Sequence, residues 1–178
     1  MNIVLLEPEI PPNTGNVARL CAATRSVLHL IEPFGFKLDD AQLKRAGMDY
    51  WQQVEWHRWQ NWNAFVAGLL IQGKDTGAQR VLAPTAGGRR DACPTLWFVE
   101  SHGPRLYSEA TFGARDYLVF GRETAGLPKK LLEENRDHWL RIPMFNPQSR
   151  SLNLSNCVAL VLFEALRQQG FQGEVVAG

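Results

Sequence analysis

The stretch NIVLLEPEIPPNTGNVARLCAAT, residues 2–24, changes period partway along, and that change decides the fold class. Asn2–Leu6 is an apolar run rich in branched residues and ended by prolines, the pattern of a strand covered on both faces in a parallel sheet. Beyond the prolines, Val17, Leu20, Cys21 and Thr24 fall at i, i+3, i+4 and i+7, a helical stripe, with Asn13 placed as its N-cap. Val27–Ile31 then reads as a second strand, completing a strand–helix–strand unit. Further along, Asp39 or Asp40 caps a short helix through Ala46, Val54–Trp56 reads as a brief strand, and Asn61–Leu70 has helical character. Arg80–Ala83, Tyr117–Phe120 and Trp139–Ile142 are of strand type, Pro128–Asn135 looks helical, and Leu154–Gln168 is the longest helix. Alternating strands and helices predict an α/β fold, a mainly parallel sheet flanked by helices, in a single domain over residues 1–178. The Gly- and Pro-containing stretch 84–116, with Thr95–Val99 inside it, reads as a hairpin or loop inserted between two core strands, and residues 171–178 as a loose tail.

Composition narrows the class. The chain has 178 residues, 45% hydrophobic and 21% charged, the make-up of a globular domain. Its longest apolar run, Cys157–Phe163, falls far short of the roughly 18 residues that signal a membrane span, so no membrane association is expected. No basic leader precedes the first apolar stretch, and the cytoplasm is the expected address. Cys21, Cys93 and Cys157 lie far apart without zinc-ligand spacing, and His29, His57, His102 and His138 are isolated; none is given a catalytic role and no metal is expected. A net charge of +1 neither demands nor excludes nucleic acid.

Three segments carry chemistry. Pro11–Asn16 runs into a helix whose free N–H groups favour an anion, and Asn16 and Arg19 share one face, where an amide and a guanidinium suit a phosphate or sugar. Taken alone, that segment reads slightly more readily as a capped helix with a solvated arginine. Gly121–Pro128 sits between a strand and a helix, where open α/β sheets place ligand loops. Leu127-Pro128 replaces the Lys-Ser/Thr pair of a triphosphate loop, and no G-x-G-x-x-G follows any strand. Arg141–Asn156 is too polar for a mere connection: Ser149, Ser151, Asn153, Ser155 and Asn156 exceed what one helix cap needs, and a bound polar ligand would satisfy them. The helix after it carries seven consecutive apolar residues, Cys157–Phe163, which favours a homodimer contact over simple core burial.

Read together and in order, Asn13–Cys21, Phe120–Pro128 and Arg141–Met144 with Ser149–Asn156 resemble the three motifs of SPOUT-superfamily tRNA 2′-O-ribose methyltransferases of the TrmL type. Glu32–Phe36 and Arg45–Tyr50 resemble segments of the same type. The resemblance implies an α/β-knot fold, with a C-terminal trefoil knot formed as the chain after Trp139 threads through a loop, in a homodimer. It implies S-adenosylmethionine held mainly by backbone at Pro84, Gly121, Ile142, Met144 and Ser151, and Arg19, Glu123 and Asn153 at the reaction. It implies tRNA, through its anticodon stem-loop, as the partner, with Asn16, Arg122 and Arg150 on the substrate. Guanidinium stays protonated in proteins, so positioning or phosphate polarisation suits Arg19 better than proton abstraction.

The chain departs from that pattern in the length of the Ala83–Tyr117 connection, in Arg122 where relatives often carry proline, and in the longer turn Phe145–Gln148. The activity that the resemblance implies is methyl transfer to the ribose of the wobble nucleotide, position 34, of leucine tRNAs, a cytidine or uridine. The alternatives are the same chemistry at another tRNA or rRNA ribose, or a catalytically silent RNA-binding dimer.

Overall fold

A computed structural model of the chain describes residues 1–36, 51–75 and 94–176. The strands are β1 (Asn2–Leu6), β2 (Val27–Ile31), β3 (Trp56–Trp59), β4 (Leu96–Val99), β5 (Arg105–Leu106), β6 (Tyr117–Phe120) and β7 (Trp139–Arg141). The helices are α1 (Pro11–Thr24), α2 (Trp62–Asp75), α3 (Lys129–Glu134) and α4 (Leu154–Gln168). These strands form one seven-stranded sheet in the order β3-β2-β1-β6-β4-β7-β5, and all their pairings are parallel.

The unbroken apolar runs follow from this architecture, because β1, β2, β4 and β6 each feed a core on either face. Ile3 and Leu5 of β1, with Leu118 and Phe120 of β6, pack against Val17, Ala18 and Cys21 of α1 and Val158, Val161 and Leu162 of α4. Val4 and Leu6, with Val119, face the other way, onto Phe65 and Leu69 of α2 and Leu132 of α3. Burying a Val or Leu side chain is worth about 1.5–3 kcal/mol, so a polar residue at any of these strand positions would be costly.

The segment 95–99 corrects the sequence reading. Leu96–Val99 is not part of an inserted hairpin; it is a central strand, paired with β6 on one side and β7 on the other. Four buried residues pointing alternately to the two cores account for its composition. Asn13 is not the cap of α1: the helix begins two residues earlier, with Ile10 at the cap and proline in the first turn, where a missing N–H costs nothing. β3 begins at Trp56 instead of Val54. The expected helix through Ala46, the strand Arg80–Ala83, and Arg45–Tyr50 lie outside the described residues.

β7 lies between β4 and β5, two strands joined only by Glu100–Pro104. That connection arches across the β7 backbone: Glu100 N donates to Leu140 O at 2.9 Å, and Arg141 Nη1 donates back to the Gly103 and Pro104 carbonyls at 2.9 and 2.8 Å. The arch lies so close that a Cβ on Gly103 would overlap the Leu140 carbonyl.

α4 buries one face, Val158, Val161, Leu162 and Ala165, and leaves Asn156, Leu160, Phe163 and Arg167 exposed along the other. Leu160 and Phe163 are 42% and 48% exposed. α1, packed beside α4, shows a matching outward stripe of Pro12, Asn16, Arg19 and Ala23.

His29 in β2 is buried and neutral. Its Nδ1 accepts from the Trp59 indole N–H at 3.1 Å, which places its own proton on Nε2, facing Asn2 Oδ1 at 3.4 Å. Burial, helped by nearby His57, pushes its pKa down to about 3. The unfolded chain takes up that proton near pH 6.5, whereas the folded chain resists it until about pH 3. The stabilisation is therefore complete above pH 6.5 and is lost as pH falls between those values. Moving from about pH 7.5 to about pH 5 should cost about 2 kcal/mol through this group. Urea denaturation at the two pH values measures it, and His29→Asn should flatten that part of the slope.

Candidate active site

The parallel strands deliver their C-terminal ends to one edge of the sheet, and a cleft of about 670 Å³ opens there. Val99, Phe120, Leu127, Leu132 and Ile142 give it apolar walls; Ser101, Ser151 and Asn153 give it a polar edge. The loop after β6 folds back on itself, Arg122 and Gly126 exchanging backbone hydrogen bonds at 3.2 and 2.9 Å. The Arg122 side chain, 44% exposed, forms an ion pair with Glu7.

This loop is clasped to the start of α1 from both sides. The Glu123 carboxylate accepts from Glu9 N at 2.9 Å, Ile10 N at 3.2 Å and Asn13 Nδ2 at 3.1 Å, and so stands at the positive end of the helix. In return, Glu9 accepts from Thr124 N at 3.0 Å and from the Thr124 hydroxyl. Those hydrogen bonds hold the Glu9 carboxyl below its usual range.

From Glu123 a chain of amides runs to the last helix. Asn153 Nδ2 donates to Asn13 Oδ1 at 2.9 Å, and Asn153 Oδ1, the cap of α4, accepts from Ser155 N at 2.9 Å and Ser155 Oγ at 2.7 Å. Glu123, Asn13 and Asn153 therefore lock together the loop after β6 and the N-termini of α1 and α4 at the mouth of the cleft. Three donors already occupy the Glu123 carboxylate, so it suits positioning better than taking a proton. Cys157, also on the wall, has its thiol pushed up to about 11 by burial and then by Glu100, which makes it a poor nucleophile.

Among the expected cofactor residues, Gly121, Ile142, Met144 and Ser151 line the cleft, and Pro84 lies outside the described residues. Arg122, Arg150, Glu123 and Asn153 line it as well. Asn16 and Arg19 do not; they lie on the exposed stripe of α1. Two residues escaped the sequence reading. Asn13 is buried at 5% exposure and bridges Glu123 to Asn153, a role hidden by its resemblance to a helix cap. Glu100 stands at the end of β4, and its signal, a polar residue directly after an apolar strand, was masked when that strand was read as an excursion. Among the described residues no cluster of His, Cys, Asp or Glu is arranged to hold a metal ion, and no helix is long and apolar enough to cross a membrane.

Comparison with known proteins identifies the family. Residues 1–163 match the SpoU rRNA methylase family. A tRNA (cytidine(34)-2′-O)-methyltransferase of Saccharophagus degradans is 47% identical over 175 residues, 97% of each chain. A solved Bacillus anthracis structure is 41% identical with a TM-score of 0.79 over 99% of both chains. Another, whose subject is the 2-OH methylation of C/U34 on tRNA, is 38% identical with a TM-score of 0.76, covering 96% of this chain and 97% of its own. Matched by the family over residues 1–163 and by these relatives over nearly its whole length, the chain belongs to the SpoU rRNA methylase family.

Proposed function

We propose that the chain transfers a methyl group from S-adenosylmethionine to the ribose 2′-hydroxyl of tRNA nucleotide 34, a cytidine or uridine, with leucine tRNAs as substrates in the cytoplasm. The observation that carries this reading is the cleft itself, closed by the loop after β6 and the segment before α4, in a chain that matches a cytidine(34) methyltransferase over 97% of its length. The residues fit the donor: apolar walls for an adenine, hydroxyls at Ser101 and Ser151 for a ribose or amino-acid group, and a volume of about 670 Å³. Gly121, Ile142, Met144 and Ser151 would hold it. When bound, the sulfonium supplies an already electrophilic methyl, which leaves alignment and proton removal to the protein.

Alignment falls to the locked mouth of the cleft. Asn153 donates to Asn13 and Asn13 to Glu123, so the sugar meets a rigid polar edge. Arg122 and Arg150, on the rim, suit RNA phosphates. Arg19 acts from a second copy. The outward stripes of α1 and α4 mate in a homodimer, burying Leu160 and Phe163 and presenting Asn16 and Arg19 across the interface. A substrate phosphate there would be polarised by a fixed guanidinium. The chain after Trp139 completes a trefoil knot, and the arch Glu100–Pro104 over β7 supports that reading.

Incubation with labelled S-adenosylmethionine and total tRNA, followed by location of the label, tests the proposal. Label on the position-34 ribose of leucine tRNAs is the expected result; label on another ribose discards the wobble assignment, and none at all discards the activity. Sedimentation of the same sample should give twice the chain mass.

A further inference from the structure

Glu100 has no counterpart among the residues discussed as catalytic, yet it joins the two loops that make the cleft. It closes β4 and opens the arch over β7. Its carboxylate reaches both sides: Oε1 accepts from Ser101 N at 2.7 Å, within the arch, and Oε2 accepts from Leu127 N at 3.1 Å, in the loop after β6. The opposing residue is matched to it. Gly126 has φ of +67°, and a Cβ there would overlap Glu100 Oε2, so the carboxylate fills the space that any side chain at 126 would need. One side chain thus sets the separation of the two loops through two bonds, each to a different oxygen.

We propose that Glu100 is a positioning residue for the methyl donor: it fixes the distance between the arch and the Gly121–Leu127 loop, and thus the backbone groups that grip the ligand, without itself taking part in the reaction. The inference rests on the cleft being the S-adenosylmethionine site. Glutamine keeps the size of Glu100 but offers only one acceptor oxygen, so its amide would face one of the two N–H groups donor to donor and the loops would part. The sheet beneath would be untouched, because β4 keeps its backbone pairs to β6 and β7.

Calorimetric titration of the wild-type protein and Glu100→Gln with S-adenosylmethionine and, separately, with S-adenosylhomocysteine tests this, with thermal unfolding of both proteins alongside. The expected result is a Kd about 10- to 100-fold weaker for both ligands at nearly unchanged Tm, since the loss of one hydrogen bond to a charged acceptor is worth about that factor. Glu100→Asp, which keeps two acceptor oxygens on a shorter arm, should recover part of the loss. An unchanged Kd overturns the proposal. A loss confined to the sulfonium also overturns it, because the carboxylate would then act by charge and not by position. Should the wild-type protein bind neither ligand, the cofactor reading above fails first.

Discussion

Glu123→Ala should lower methyl transfer by at least about 100-fold while leaving donor affinity within a few-fold of wild type. The size follows from geometry: displacing a reacting group by about 1 Å is enough for two orders of magnitude. Glu123 accepts from Glu9 N, Ile10 N and Asn13 Nδ2, and Asn13 in turn holds the Asn153 amide, so its loss frees the start of α1 and the cap of α4 together. Removing acceptors from the first turn of a helix also costs about 1–2 kcal/mol of stability. Single-turnover assays with limiting tRNA, beside donor titrations, separate the two effects. Because the three residues act as one unit, Asn13→Ala and Asn153→Ala should each lose a similar factor, and the double variant little more than either. Fully additive losses would show that the residues work independently; activity within fivefold of wild type in Glu123→Ala would remove it from the site.

Gly103→Val should destabilise the protein severely. A side chain there meets the Leu140 and Arg141 backbone of a strand fixed on both sides by β4 and β5. Neither partner can withdraw. Clashes of this kind exceed about 4 kcal/mol, a large part of what a domain this size has to spend. The expected outcome is insoluble protein, or a Tm lowered by more than about 10 °C. Gly173→Ala is the comparison: unlike Gly103, Gly173 sits at positive φ, 83°, but its Cβ position is open, so only the backbone strain of about 1 kcal/mol applies. Equal losses in the two variants would mean that the arch gives way more easily than its contacts imply.

The local periodicities were read well where one principle governed. β1, β2 and β6 run over the predicted residues, as does α4 from Leu154 to Gln168. Asn13 was assigned by its type alone, and a residue that caps helices in isolation was taken into a longer-range network with a carboxylate 110 positions away. The strand Leu96–Val99 was misread for a related reason: a four-residue run carries no period long enough to separate an excursion from a core strand, and its parallel partners lie far off in sequence. In the site, the motif resemblance picked out Gly121, Glu123, Ile142, Met144, Ser151 and Asn153, all of which line the cleft. It gave no sign of Glu100, whose role depends on an arch no local pattern describes. Arg19 was legible as a residue, but its distance from the cleft within one chain is a fact of tertiary structure.

The hydrogen bond between Asn153 and Asn13 spans 140 positions of sequence. During synthesis the N-terminal partner leaves the ribosome long before the other exists, and β7, the strand that leads to Asn153, must enter between two strands already made. Until the final helix emerges, the growing chain holds half of a clasp. The mouth of the cleft is therefore completed in a single late event, once Asn153 and the helix it caps can reach Asn13.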